Sequence, residues 1–425
     1  MLEPLPHVGA IIMGDDDERV VRLLRMLRDQ LDSRTKAFAA VGAATLGEYR
    51  AHPNGNPTEP RLLLLLDNFG GFAESWNDHT GGRQRWFKAL QSIIQLGRPL
   101  GIHVVISADR PGAVPTQTRA SVPRRVALRL SEKSMYETLG VADDVLDETS
   151  EPGRAVLGKL EVQVAILGGV PDTGNQIDAT YQLASALEAI EHEPAPGISA
   201  LPEIVRFDEL GAAPPAQLLI GIGENHLEPV GIRRSGTFLV SGPPQSGRSN
   251  LVHMLAQRAI AAGMSVHHIG PRRSAVRSLS GLSGTSANVE EVEALTGAFA
   301  ETLDETAPGK VAVVIENLGE WNQPTSSAAI AALIKSLVEA DQLVIGEAET
   351  SQLGPMSTVQ NLFRNARRGI VLQPDVNELS NQLKLETKHV NRFDYPAGRG
   401  IMLEAGKPQK VQVAIALEEA PDVDS

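Results

Sequence analysis

The stretch Val240-Ser241-Gly242-Pro243-Pro244-Gln245-Ser246-Gly247-Arg248-Ser249 constrains this chain most. Apolar Thr237-Phe238-Leu239-Val240 precedes it, and the helical pattern Leu251-Val252-His253-Met254-Leu255-Ala256-Gln257-Arg258 follows it. A strand, a glycine-rich turn and a helix in that order are the setting in which G-x-x-x-x-G-K-[S/T] cradles phosphate on backbone amides. Every position but one fits the pattern. The lysine position carries Arg248, whose planar fork keeps the charge but is bulkier and aimed differently from an ammonium. Pro243 and Pro244 remove two amide donors and stiffen the turn. The pattern predicts a nucleotide site, with Gly242, Gln245, Ser246, Gly247 and Arg248 around the phosphates of ATP and Ser249 on magnesium. The competing reading is a structural turn that stays empty or holds an anion.

At 425 residues the chain is long enough for two or three domains. It has no cysteine, so disulfides and thiolate metal sites are excluded and a reducing, cytoplasmic setting fits. No apolar run approaches the length of a membrane span, which predicts no membrane contact from this segment itself. The opening Met1-Leu2-Glu3-Pro4-Leu5-Pro6-His7 lacks the layout of a signal peptide. A formal charge of -13 works against non-specific DNA binding, although a local basic track remains compatible with it.

The two halves follow one plan. Leu62-Leu63-Leu64-Leu65-Leu66-Asp67-Asn68 reads as a buried parallel strand tipped by an acid, and Val311-Ala312-Val313-Val314-Ile315-Glu316-Asn317 repeats it. Val104-Val105-Ile106-Ser107-Ala108 aligns with Leu343-Val344-Ile345-Gly346-Glu347. Arg124-Arg125-Val126-Ala127-Leu128 aligns with Arg367-Arg368-Gly369-Ile370-Val371. Gly153-Arg154 followed by Val162-Gln163-Val164-Ala165-Ile166 returns nearly verbatim as Gly398-Arg399 followed by Val411-Gln412-Val413-Ala414-Ile415. Four matches in one order imply two copies of one α/β domain. Helices are expected from Gly14-Asp15-Asp16-Asp17-Glu18 onward, over Trp86 to Leu96, and over 179–191. Glu193-Pro194-Ala195-Pro196-Gly197 reads as a linker, which puts the domains at 1–194 and 195–425. Roughly sixty residues separate the phosphate loop from the acid-tipped strand of the second copy, and about as many precede that strand in the first. A matching loop would fall at or before Met1, so the first copy reads as N-terminally truncated and without a phosphate loop.

These motifs resemble the FtsK/SpoIIIE family of translocase ATPases. The resemblance runs through Leu5-Pro6-His7-Val8, Leu62 to Asp67, Gly101-Ile102-His103-Val104-Val105-Ile106, Arg110-Pro111 and Arg124-Arg125-Val126-Ala127-Leu128-Arg129 with Gly140 after it, and resumes at the phosphate loop. Tandem domains of this kind look most like the EccC-type motors of type VII secretion. The resemblance implies two tandem RecA-like P-loop NTPase domains with mainly parallel sheets. It also implies ring or string assembly with further ATPase domains of the same or neighbouring chains, and small helical secreted proteins as partners. A membrane anchor elsewhere in the protein is part of the family pattern.

In that family the acid-tipped strand ends Asp-Glu, Asp for the metal shell and Glu for water. Asp67-Asn68 and Glu316-Asn317 each put Asn where the water-activating carboxylate belongs, and an amide is not a general base. The expected catalytic and metal contributions are therefore weak: Asp67 without its own loop, and Glu316 as magnesium support or a plain strand-end carboxylate. The loop after the next strand, polar with Arg-Pro in the family, is Ala108-Asp109-Arg110-Pro111 in one copy and Glu347-Ala348-Glu349-Thr350 in the other. Arg124, Arg125, Arg367 and Arg368 read as sheet-edge cations, with a trans arginine on a neighbour's loop as the sharper alternative. His7 and His103 read as packing histidines, and His267-His268 as structural. Pro271-Arg272-Arg273 with Arg277 makes a basic loop. Three functions compete: a slow nucleotide-binding module that brakes or receives substrates in a secretion motor, a DNA translocase segment, and a non-enzymatic scaffold. The acidic balance and the missing carboxylates favour the first and third.

Overall fold

The computed structural model describes residues 2–77, 82–147, 149–190, 194–353, 357–387 and 390–416. They fall into two compact units, Met1–Ala200 and Leu201–Ser425.

The first unit opens with α1 (Asp17–Val41), which begins at the acidic run. The Asp16 carboxylate accepts the Arg19 N–H at 3.0 Å, and Asp17 and Glu18 sit in the first turn at the positive end of the dipole. Then follow α2 (Leu46–Ala51), β1 (Leu62–Leu66), α3 (Phe69–Trp76), α4 (Arg83–Leu96), β2 (Ile102–Ile106), α5 (Thr116–Ser121), β3 (Val126–Leu128), α6 (Lys133–Leu139), β4 (Arg154–Leu157), β5 (Leu160–Gln163) and α7 (Thr173–Glu188). The helix expected at 179–191 starts earlier because the Asp172 carboxylate caps it, accepting the Asn175 N–H at 2.9 Å. Residues 191–193 lie outside the described ones. His7 is exposed rather than packed, since Leu5 and Val8 are drawn into tight turns that leave its ring outside. His103 is half-buried.

In this unit β1 and β2 form a parallel pair, and β3, β4 and β5 form a separate antiparallel sheet. One face of the pair is covered: Leu62, Leu64 and Val104 pack with Leu27 and Leu31 of α1 and Ile93 of α4. The other face is not. Leu63 is 62% exposed and Val105 54%.

The second unit contains β6 (Gln217–Gly223), β7 (Pro229–Arg233), β8 (Gly236–Gly242), α8 (Arg248–Ala261), β9 (Ser265–Ile269), β10 (Gly284–Ser286), α9 (Val289–Thr302), β11 (Val311–Ile315), α10 (Pro324–Glu339), β12 (Leu343–Glu349), α11 (Thr358–Ala366), β13 (Gly369–Leu372), α12 (Val376–Leu383), β14 (Arg399–Glu404) and β15 (Lys407–Val413). Its strands make one sheet of ten in the order β10-β9-β11-β12-β8-β13-β14-β15-β6-β7. The first six run parallel, and the pairings from β13 onward are antiparallel. Both faces are covered, which is why β11 and β12 read as unbroken apolar runs rather than alternating ones. On one face Leu251, Met254 and Leu255 of α8 pack with Phe238, Val240, Ala312, Val314 and Ile345. On the other, Ile330, Leu333 and Ile334 of α10 and Phe363 of α11 pack with Leu239, Val313 and Val344.

The repeat shows in detail. In each unit a glycine with φ near +80°, Gly153 at 83° and Gly398 at 77°, precedes the arginine that opens a hairpin. The glutamine of the return strand reaches back across that turn: Gln163 Nε2 donates to the Pro152 carbonyl at 3.3 Å, and Gln412 Nε2 to the Ala397 carbonyl at 3.0 Å. The ladders shift one sequence alignment by a residue. Leu66 pairs with Ile106 and Ile315 with Gly346, so Glu347 corresponds to Ser107 and not to Ala108. Among the described residues the first unit has no counterpart of β8 or α8. In the second unit β8 lies between β12 and β13, so its absence leaves β2 and β3 in different sheets.

Candidate functional site

The phosphate loop lies at the carboxyl end of β8, flanked by the parallel strands β12 and β13, where an open α/β sheet offers its ligand crevice. Two residues take positive φ: Gln245 at 63°, and Gly247 at 102°, a value side chains rarely adopt. Gly247 also meets the turn before β14 closely; a Cβ there would stand 3.2 Å from the Gly398 nitrogen, whose N–H donates to the Ser246 carbonyl at 2.8 Å. Helix α8 starts at Arg248 with no side-chain cap, so its amino end faces the loop. Ser246 is 1% exposed and its Oγ is buried without a hydrogen-bond partner. An orphaned hydroxyl at a helix amino terminus inside a glycine turn fits an anion such as phosphate.

Arg248 does not reach into that turn. Its Nη1 donates to Glu347 Oε1 in an ion pair whose side chains are 16% and 6% exposed. The second oxygen, Glu347 Oε2, accepts the Asn317 backbone N–H at 3.0 Å. Glu347 thus joins the first residue of α8 to the end of β11. Burial raises its carboxyl above the ordinary value; the Asn317 N–H and Arg248 oppose that, and the charge of Glu316 adds to it. Glu347 was not among the residues the sequence singles out as a site. The available signal is an acid within an apolar strand neighbouring one that ends in a cation-bearing loop.

Glu316 is engaged by a histidine. Its Oε2 lies 2.6 Å from Nε2 of His268, which is fully buried on β9. Burial would raise this carboxyl, but hydrogen bonds from His268 and Ser274 and the pull of His268 and His253 outweigh it and hold the pKa below the ordinary value. Asn317 sits in left-handed backbone, φ 53° and ψ 53°, and its Nδ2 donates to Glu320 at 3.2 Å. Asn68 adopts φ 51° and ψ 59°, and its Oδ1 caps α3 by accepting the Gly71 N–H at 3.2 Å. Both asparagines occupy a conformation that Asn tolerates better than most residues, with their side chains engaged locally.

Magnesium fits less well than phosphate. Ser249 is exposed, Glu316 is closed by His268, and no cluster of three metal-ligating side chains occurs among the described residues. In the first unit Asp67 is exposed and accepts the Ser107 hydroxyl, which in turn accepts the Asn68 N–H at 3.0 Å. Arg125 donates to the carbonyls of Leu139 and Arg119 at 2.9 Å each. Arg368, 4% exposed, pairs with Glu404 at 2.6 Å and donates to the Ser235 and Arg233 carbonyls. These arginines tie loops to sheet edges. His267 rests edge-on against Phe299, as a structural histidine does, and burial lowers its pKa. A cavity of about 470 Å3 lies at the opposite edge of the sheet, lined by Arg233, Gly236, Ile334, Lys335, Val338, Leu362 and Arg368 among others. No helix among the described residues is long and apolar enough to cross a membrane.

No family model matches the chain. Among curated proteins it is 24% identical over 289 residues to the ESX-1 secretion system protein EccCb1 of Mycobacterium tuberculosis, covering 63% of this chain and 47% of that one. It is 23% identical over 371 residues to the ESX-5 secretion system protein EccC5 of the same species, covering 75% of this chain and 26% of that one. The chain therefore spans about half the length, or less, of the curated relatives it matches. Among solved structures, ATPases 2 and 3 of Thermomonospora curvata EccC, in complex with a signal sequence peptide, superpose with a TM-score of 0.70 at 20% identity, covering 98% of this chain and 80% of that one. ATPases 2 and 3 of EssC from Geobacillus thermodenitrificans give 0.71 at 17% identity, covering 98% and 82%. The homologues of this chain are the EccC/EssC ATPases of type VII secretion, FtsK/SpoIIIE-like proteins, and its fold is that of their tandem P-loop ATPase domains.

Proposed function

We propose that this chain is a nucleotide-responsive module of a type VII secretion ATPase that binds adenine nucleotide and turns it over slowly or not at all. The observation that carries this reading is the end of β11. The position that would activate water holds Asn317, in left-handed backbone and bonded to Glu320, while the buried strand-end carboxylates Glu316 and Glu347 are committed to His268 and Arg248. The cradle is the turn from Gly242 through Gln245 and Ser246 to Gly247, with the amino end of α8 behind it. Bound ATP would supply the charge the module senses; with Glu316 closed by His268, Ser249 is the side chain left to meet magnesium. The role fits braking or signalling among neighbouring ATPase domains, and receiving helical export signals. We assign the groove between α10 and α11, where apolar Ile334, Val338 and Leu362 lie among Lys335, Glu339 and Asp341, to the apolar face of a helical segment.

Titration with a fluorescent ATP analogue tests the nucleotide claim. Wild type is expected to bind saturably, and Gly247→Asp, which puts a charged side chain into the turn at φ 102°, to lose at least tenfold in affinity. Unchanged hydrogen exchange in β9 and β11 checks that the variant is folded. Equal binding by both proteins, or none by either, sinks the claim. Turnover at the rate of a complete family motor would contradict the slow-module reading.

A further inference from the structure

Glu347 stands where it competes with phosphate. In a working loop the cation at the position of Arg248 contacts the outer phosphates, and side chains at the ends of the neighbouring strands face the terminal one. Here the cation is already matched. One Glu347 oxygen holds the Arg248 guanidinium, the other holds the Asn317 N–H, and the pair is shielded from water. What remains for a ligand is the turn itself: the Ser246 hydroxyl and the amino terminus of α8. Those groups can hold the inner phosphates without Arg248. A third phosphate would extend toward Glu347 and Glu316, two acidic side chains close enough that the charge of one raises the carboxyl of the other.

We propose that Glu347 acts as an internal anion of the phosphate loop, occupying Arg248 in place of a terminal phosphate and making the site select nucleoside diphosphate over triphosphate. This rests on the nucleotide-binding reading above and deepens it. The first unit shows the same backbone contact made without charge: the Asn68 N–H is received by the hydroxyl of Ser107, the residue in register with Glu347. Accepting that amide hydrogen therefore requires only an oxygen. The carboxylate is the added element, and the cation it faces is the Arg248 of the same unit.

The test is to titrate wild type, Glu347→Gln, Glu347→Ser and the double variant Glu347→Gln/Arg248→Gln with ADP and with adenosine 5′-(β,γ-imido)triphosphate, both with and without magnesium, by calorimetry. Gln and Ser each keep an oxygen for the Asn317 N–H while removing the charge, and Ser reproduces the arrangement of the first unit. Wild type is expected to bind the diphosphate at least tenfold more tightly than the triphosphate. Each single variant should narrow or reverse that ratio by tenfold or more, and the double variant should lose the gain because the freed guanidinium is gone. If both nucleotides bind and the ratio is the same in wild type and in whichever single variant folds, the proposal fails and nucleotide binding stands. If no protein binds either nucleotide, both fail together.

Discussion

At the end of β1 the Asn68 amide rests on the Ser107 hydroxyl beside an exposed Asp67; at the end of β11 the Asn317 amide rests on the Glu347 carboxylate beside a buried Glu316. The backbone geometry is the same, with both asparagines left-handed. The chemistry differs because the second strand end faces a phosphate loop and the first has none beside it among the described residues. Where β8 and α8 are present, the strand-end acids Glu316 and Glu347 are buried and paired with His268 and Arg248. Where they are not, the corresponding side chains stay in water, Leu63 and Val105 included. Burial, rather than the identity of the strand-end acid, separates the two sites.

The widest difference between the units is expected at their paired arginines. Arg368 is buried over Phe238 and ties Glu404 to two backbone carbonyls. Arg368→Ala leaves Glu404 with Arg233 alone, takes a buried donor from the Ser235 and Arg233 carbonyls, and should lower the stability of the second unit by about 4 kcal/mol. Arg125 makes carbonyl contacts at a partly exposed edge. Arg125→Ala should lower the stability of the first unit by about 1 to 2 kcal/mol. Urea unfolding, with hydrogen exchange resolving β13 from β3, measures both. Equal losses would mean that the two edges are equally exposed in solution and would undo the contrast.

Much of this contrast was legible in the sequence. The apolar run of β11, the near-verbatim hairpin around Gly398 and Gln412, and the glycines of the loop each carry a local rule that survives without tertiary context. The Arg248 and Asn317 substitutions also pointed to weak chemistry, since they change what a side chain can do wherever it sits. The partner of Arg248 was not legible. Glu347 lies far along the chain on another strand, and its register could be fixed only by the β11–β12 ladder, which moves it by one residue from the alignment that sequence similarity suggests. The His268–Glu316 bond was hidden for the same reason: β9 and β11 are neighbours through hydrogen bonding, not through sequence. Pairings between strands are tertiary facts, and a single sequence does not print them.

The strand-end acids give the next comparison. Glu316→Ala leaves fully buried His268 without its hydrogen-bond partner and should lower the stability of the second unit by about 2 kcal/mol near neutral pH. Asp67→Ala removes one exposed hydrogen bond and should lower the stability of the first unit by less than about 1 kcal/mol. The pH dependence follows from the depressed Glu316 carboxyl. Its folded value lies below the unfolded one, so its contribution is fully present above about 4.5 and is lost as pH falls through the folded value. Wild type minus Glu316→Ala stability, followed by urea midpoints from pH 7 to pH 3, should shrink on acidification. A difference that is flat or grows toward low pH would show that the carboxylate gains nothing from His268.

The smallest effect tests what the two units share. Left-handed backbone at Asn68 and Asn317 disfavours a Cβ-bearing residue that cannot bond locally, and glycine adopts it freely. Asn→Ala at either position should lower the stability of its own unit by about 1 kcal/mol, and Asn→Gly by a few tenths, because the strain is removed even though the side-chain bond is lost. At Asn68 the Gly variant also gives up the cap on Gly71, so it should cost slightly more than Asn317→Gly does in its own unit. Hydrogen exchange in α3 and in the turn after β11 reads each unit separately. If alanine and glycine behave alike at Asn317, the left-handed strand end is not shared. The asparagine there would then be explained by its bond to Glu320 and not by the backbone that both copies require.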